Sequence, residues 1–175
     1  MNGFSIRAGR EADVDALLEI ECRAAALLLG HGAHDLFAMH SLSPTDLQQG
    51  MANGILRVAE VEGHAVGFAL GGEVDGHAHL FEMNVLPEHG RRGIGSALLE
   101  NICDEAWARV YASITLATLR DVPWNAPFYA RRGFSELAES ARGGQLGEIV
   151  ARERMLGFPM QLRVVMRRII RKPQP

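Results

Sequence analysis

The chain has 175 residues, 47% of them hydrophobic and 22% charged, an ordinary composition for one globular domain with a sizeable core. Its formal charge of −3 excludes a global basic field for nucleic acid or a membrane surface. No stretch approaches the roughly 20 apolar residues of a membrane span, and no apolar run follows a basic start, so a cytoplasmic protein is expected. Cys22 and Cys103 sit in apolar helical patterns and are expected as buried free thiols.

A first strand is predicted over Phe4 to Arg7. Val14, Leu17, Leu18, Cys22, Ala25, Leu28 and Leu29 then recur at helical spacing. The stretch "GHGAHDLFAMHSLSP" reads as a loop, and Thr45 to Met51 as a short helix stopped by Gly54. Three β segments follow, "ILRVAEV", "AVGFALGGE" and "HAHLFEMNV", with hairpin-length connections that make neighbours antiparallel. Ile94, Leu98, Ile102, Ala106 and Val110 mark the buried stripe of the next helix, with Glu100, Asp104 and Glu105 outside. "ASITLATL" is a strand, "RDVPWNAP" an ordered turn and "FYARRGF" a short helix stopped by Gly133. A Gly-, Ala- and Arg-rich loop leads to a final strand in "MQLRVVMRRII". The expected order, β-α-α-β-β-β-α-β-α-β-β, is a single α/β domain over residues 1–175 with a mostly antiparallel mixed sheet and one crossover helix.

Chemistry concentrates in "VLPEHGRRGIGSALLE". A helix's first turn presents N–H groups without intrahelical partners, and its dipole adds partial positive charge. Gly90, Gly93 and Gly95 let the backbone turn sharply and let a ligand approach where a Cβ would intrude. The product is an anion seat, typically for phosphate, with Arg91 and Arg92 at its rim. The spacing Gly90-x-x-Gly93-x-Gly95 is not G-x-G-x-x-G, and the lysine of a P-loop is missing.

"FEMNVLPEHGRRGIGSALLE" resembles the central motif of the GNAT superfamily of acyl-CoA-dependent N-acyltransferases. "RDVPWNAPFYARRGF" resembles that superfamily's second motif, and "VAEVEGHAVGFAL" its second and third strands. The likeness covers roughly residues 4 to 135 in order. It implies the GNAT fold, with a splay between the fourth and fifth strands, and acetyl-CoA as cosubstrate. The turn through Arg91, Arg92, Gly93, Ile94, Gly95 and Ser96 would hold the pyrophosphate. Backbone amides of Met83, Asn84 and Val85 would meet the pantetheine and thioester carbonyl. Two positions depart from the family: Gly90 stands where Gln or Arg is common, and Val122 where asparagine is common. Asn125 is the nearest asparagine, able to cap the short helix that has Pro127 in its first turn.

Transfer of an acyl group from a thioester to an amine requires loss of an ammonium proton, donors for an oxyanion and a proton or hydrogen bond for the leaving thiolate. The resemblance puts Tyr129 at the thiolate. A phenol of pKa about 10 against a thiol of about 8.5 makes full transfer uphill by roughly 2 kcal/mol, so a strengthening hydrogen bond is the expected contribution. Glu82 is either the base, directly or through a water, or an anchor for a cationic substrate. Glu21 and Asp121 are further anchors for the amine. Trp124 is an apolar wall or a packed core residue. No cysteine is placed to carry the acyl group, so direct attack in a ternary complex is expected on a small-molecule or peptide amine. The alternative is an acyl-CoA-binding module or sensor without turnover.

Other readings rank lower. His77 and His79 share a strand face, but Glu82 falls on the opposite face and H-E-x-x-H is absent, so no metal is expected. The basic tail, Arg163 to Lys172, reads as a strand with a charged face that could meet a second copy in a homodimer. Neither nucleic acid nor membrane is expected as a partner.

Overall fold

A computed structural model describes residues 3–32 and 34–170. The chain is α/β, with strands β1 (Ser5–Ala8), β2 (Ile55–Val61), β3 (His64–Val74), β4 (His77–Val85), β5 (Ser113–Leu119), β6 (Ser135–Glu136) and β7 (Arg163–Ile169). Among the described residues six α-helices accompany them: α1 (Val14–Ala25), α2 (His34–Met39), α3 (Pro44–Asn53), α4 (Ile94–Ala108), α5 (Ala126–Ala130) and α6 (Gly144–Met155). The strands form one seven-stranded mixed sheet in the order β1-β2-β3-β4-β5-β7-β6. Among the described residues no helix is long and apolar enough to cross a membrane. Packing divides the chain into two compact units, Met1–Gly72 with Phe81–Glu105, and Glu73–Leu80 with Ala106–Pro175. The division falls inside β3, β4 and α4.

In the first unit, β1 pairs antiparallel with β2, and β2 with β3 around Glu62–Gly63. Both turn residues have positive φ, the geometry of a two-residue hairpin that matches strand twist. Ser43 and Asp46 cap α3 reciprocally, with Pro44 in its first turn. Val14, Leu17 and Ile20 bury the inner face of α1, and Ile94, Leu98, Leu99 and Ile102 that of α4. Arg7 joins buried Asp13 and half-buried Glu60, and Arg57 joins half-buried Glu105, so these carboxylates are each neutralised.

In the second unit, β4 runs parallel to β5 through Ala78↔Ile114, His79↔Thr115 and Leu80↔Leu116. β4 itself continues five residues past that last pair, to Val85. β7 lies between β5 and β6, antiparallel to both. Val74, Leu137, Leu146 and Val165 form a core, with Ile149 and Val150 of α6 packed on it. Asp75, in the β3–β4 turn, accepts N–H bonds from Gln145 and Leu146 at 2.8 and 2.9 Å, while Gln145 Oε1 accepts the Asp75 N–H at 3.0 Å. This is a helix cap delivered from 70 residues upstream.

Several expectations change. The stretch predicted as a loop after α1 contains α2, and the Gly-, Ala- and Arg-rich loop contains α6, so the order gains two helices. Cys22 is exposed on α1, whereas Cys103 is buried; both are free. The α1 stripe rotates because Ile20, not Cys22, faces inward, and Leu29 lies past the helix end, exposed. α4 ends at Ala108, and Val110, with φ of 65°, is 88% exposed. The basic tail is an interior strand of the sheet, with Arg163 buried against Glu153; Lys172 lies outside the described residues.

Candidate active site

The candidate residues fall in both units. In the first, β3 holds the C-terminal half of β4 closely. Leu86 N–H donates to the Val66 carbonyl at 2.9 Å, and a Cβ at Gly67 would come within 2.8 Å of the Asn84 carbonyl oxygen. Glu82, Met83, Asn84 and Val85 are all half-buried. Side chains two apart on a strand share a face. Accordingly Asn84 Nδ2 donates to Glu82 Oε1 at 3.0 Å.

Beyond Leu86 a 3-10 turn, Pro87–His89, closes with the Gly90 N–H on the Pro87 carbonyl at 3.0 Å. Arg91 (φ 57°) and Gly93 (φ 85°) are both left-handed. Alternating backbone of this kind turns N–H groups toward one concavity. The first helical bond of α4 runs from Ala97 N–H to the Gly93 carbonyl at 3.0 Å, so Ile94, Gly95 and Ser96 form the helix's opening turn. Ile94 is buried and anchors that turn, while Arg91 and Arg92 are exposed. A Cβ at Gly93 would meet open space among the described residues. The turn therefore has room for a bulky anion, with two arginines beside it. Arg92 Nη1 lies 3.1 Å from His89 Nδ1, and Arg23 of α1 pairs with Glu88 at 2.7 Å.

Glu21 sits half-buried on α1, and both its oxygens accept the Leu42 N–H, at 3.0 and 3.1 Å. Burial pushes its carboxyl above the ordinary carboxylate range, and the Asp46 carboxylate adds to that; the Leu42 bond opposes them.

In the second unit, β5 ends at Leu119 and a turn carries Asp121, Val122, Trp124 and Asn125 to α5. Val122 is buried, which suits an aliphatic residue in this place, while Asp121 and Trp124 are exposed. Trp124 is therefore no core residue. Asn125 occupies the N-cap position of α5, but its side chain makes no cap bond; its carbonyl takes the Phe128 and Tyr129 N–H groups at 2.8 and 3.1 Å. Capping here is a backbone matter. Tyr129 is buried between Phe128 and Phe134, edge to face, at centroid distances of 5.1 and 5.6 Å. Arg132 covers Phe128 at 3.7 Å. His79 is buried with Nδ1 2.8 Å from Thr115 Oγ1, and His77 Nδ1 is 3.1 Å from Ser113 Oγ. Among the described residues no group of three His, Cys, Asp or Glu could hold a metal.

Sequence reasoning missed the Leu42 amide as a partner of Glu21 and the Arg23–Glu88 link. Each joins residues 21 and 65 positions apart, for which a local pattern carries no signal.

The family described as acetyltransferase (GNAT) domain matches residues 52–136, the span from the end of α3 to β6. Solved structures share the fold at low identity. The ribosomal-protein-S18-alanine N-acetyltransferase of Escherichia coli superposes with a TM-score of 0.66 at 21% identity, over 98% of this chain and 96% of its own. Ard1 of Thermoplasma volcanium gives 0.70 at 18%, over 97% and 99%. The PaiA N-acetyltransferase of Thermoplasma acidophilum, solved in complex with coenzyme A, gives 0.72 at 15%, over 95% and 98%.

Proposed function

We propose that the chain is a member of the GNAT superfamily and an acetyl-CoA-dependent N-acetyltransferase, working as one domain on a primary amine of a small molecule or peptide. The observation that carries this reading is the turn before α4. Left-handed Arg91 and Gly93 open it, space lies where a Gly93 Cβ would stand, and the helix's first amides follow at Ile94, Gly95 and Ser96. Such a turn suits the pyrophosphate of coenzyme A through N–H bonds and the helix dipole, with Arg91 and Arg92 adding charge.

The remaining roles follow the chemistry. Amides of Met83, Asn84 and Val85 bind the thioester end and stabilise the oxyanion. Glu82 takes the acceptor's proton, directly or through a water, with Asn84 orienting its carboxylate. The amine nitrogen then attacks the thioester carbon, the oxyanion collapses as the carbon–sulfur bond breaks, the nitrogen gives up its surplus proton to water, and the Tyr129 hydroxyl hydrogen-bonds the departing thiolate. Burial of the Tyr129 ring between two phenylalanines supports that role, because its position is set before substrate arrives. Asn125 borders the cofactor side, and Glu21, Asp121 and Trp124 the acceptor side. A cytoplasmic setting and a homodimer complete the reading.

Thiol release from acetyl-CoA over a panel of amines tests it. Wild type is expected to release coenzyme A, and Tyr129→Phe to lose about a hundredfold in kcat while still binding coenzyme A. A wild-type chain that binds acetyl-CoA yet releases no thiol with any amine is instead a non-catalytic binding module.

A further inference from the structure

The second unit holds a cavity of about 230 Å³, formed by the β3–β4 turn, the start of α6 and the sheet face on which α6 packs. None of the residues assigned to acyl transfer lines it. Its apolar lining comes from Val74, Leu137 and Leu146, which belong to the core beneath α6. Two of its polar residues are already engaged. His77 Nδ1 lies 3.1 Å from Ser113 Oγ, and Thr115 Oγ1 donates to the Ala78 carbonyl at 3.3 Å.

Two charges remain. Asp75 spends two of a carboxylate's roughly four acceptor positions on the Gln145 and Leu146 N–H groups. Those amides hold its carboxyl below the usual range, so it is anionic at neutral pH. Arg167 stands between Thr115 and Ser135 in the strand register, with its side chain exposed. Arg120, Arg142 and Arg163 of the same unit each meet a glutamate, whereas Arg167 has no ion pair among the described residues. Asp75 and Arg167 thus line one cavity without pairing with each other, so their charges stand further apart than an ion pair. The complement of such a lining is a molecule with a cation at one end, an anion at the other and hydrocarbon between.

We propose that this cavity binds a small ω-amino acid, its ammonium group on Asp75, its carboxylate on Arg167 and its methylenes against Val74, Leu137 and Leu146. The guanidinium fork suits a carboxylate, and Asp75 has lone pairs left for an ammonium group. A volume below the roughly 300–1,000 Å³ of drug-sized pockets suits a chain of a few methylenes. An α-amino acid carries both charges on one carbon and cannot meet both residues at once. The site is independent of the acyl-transfer reading, since the two share no residue.

The test is a titration of the whole chain with glycine, 4-aminobutyrate and 6-aminohexanoate, followed by nitrogen NMR at the Arg167 side chain and the Gly143 and Gly144 amides. Saturable shifts at all three positions are expected with at least one of the two longer probes, and glycine should bind it at least tenfold more weakly. Butyrate and butylamine, which carry one charge each, should also bind at least tenfold more weakly. Arg167→Gln removes a charge that has no partner in the fold, and Asp75→Asn keeps an oxygen for the α6 amides. Each is expected to cost about tenfold in affinity for the active probe, while coenzyme A affinity stays within twofold. Absence of shifts with both longer probes, glycine or a singly charged probe binding as well as they do, or an Arg167→Gln affinity equal to wild type overturns the assignment.

Discussion

Glu21 shows how one side chain can set function against stability. Because burial raises its carboxyl, the folded chain binds a proton there more tightly than the unfolded chain. The resulting cost is absent below the ordinary glutamate pKa of about 4.3 and complete once pH exceeds the raised folded value. Glu21→Gln is therefore expected to raise Tm at pH 7, with the gap over wild type closing near pH 4. Equal melting temperatures at pH 7 would mean that the carboxylate is not strained by its site. Residue types were legible at this scale, but their surroundings were not. Tyr129 and Glu82 are nameable from motifs, yet those motifs carry no sign of the phenylalanine pair around Tyr129 or of the Asn84 bond to Glu82. The exposed Cys22 and Val110 fail for a simple reason. Periodicity gives the spacing of a stripe but not where the helix ends or which residue leads it.

Elements tell a different story at α4 and α6. The start of α4 was readable because its glycines, arginines and apolar stripe are contiguous. Gly93→Val should weaken coenzyme A binding at least tenfold, since a β-branched residue at φ of 85° is strained and its side chain would enter the space over the turn. Direct titration by calorimetry checks this, and unchanged affinity would remove the turn from the cofactor site. α6 was unreadable because its own sequence offers no capping side chain at Gly143 and begins with glycines. Its cap is Asp75, which the sheet delivers. The Leu146 and Gln145 amides hold the Asp75 carboxyl below its usual range, so its support is present above about pH 4 and fades as pH falls through the lowered value. Gly144, with φ of 58°, lies so near the Asp75 carboxylate that a Cβ would collide with it. Gly144→Ala should therefore destabilise by about 1–3 kcal/mol and speed hydrogen exchange in α6 more than elsewhere. Uniform exchange across the chain would mean that α6 does not depend on this cap.

For the whole molecule, hairpin-length loops disclosed the run from β2 to β4, and the α4 crossover is what a parallel β4–β5 pair requires. The insertion of β7 between β5 and β6 was hidden, because β6 is two residues long and its pairing leaves no periodic trace. His79 belongs to this scale, since its burial beside Thr115 depends on the assembled β4–β5 pair. Burial lowers its pKa from 6.5 to about 4, so it is neutral at pH 7. Between these values the unfolded chain binds the extra proton and the folded chain does not, and stability falls as pH drops from about 6.5 to 4. The full loss would reach roughly 3 kcal/mol. His79→Asn, which keeps an N–H for Thr115 but does not titrate, should flatten the pH dependence of urea unfolding across this window, whatever its effect at pH 7. The same slope in variant and wild type would leave His79 a passive member of the core.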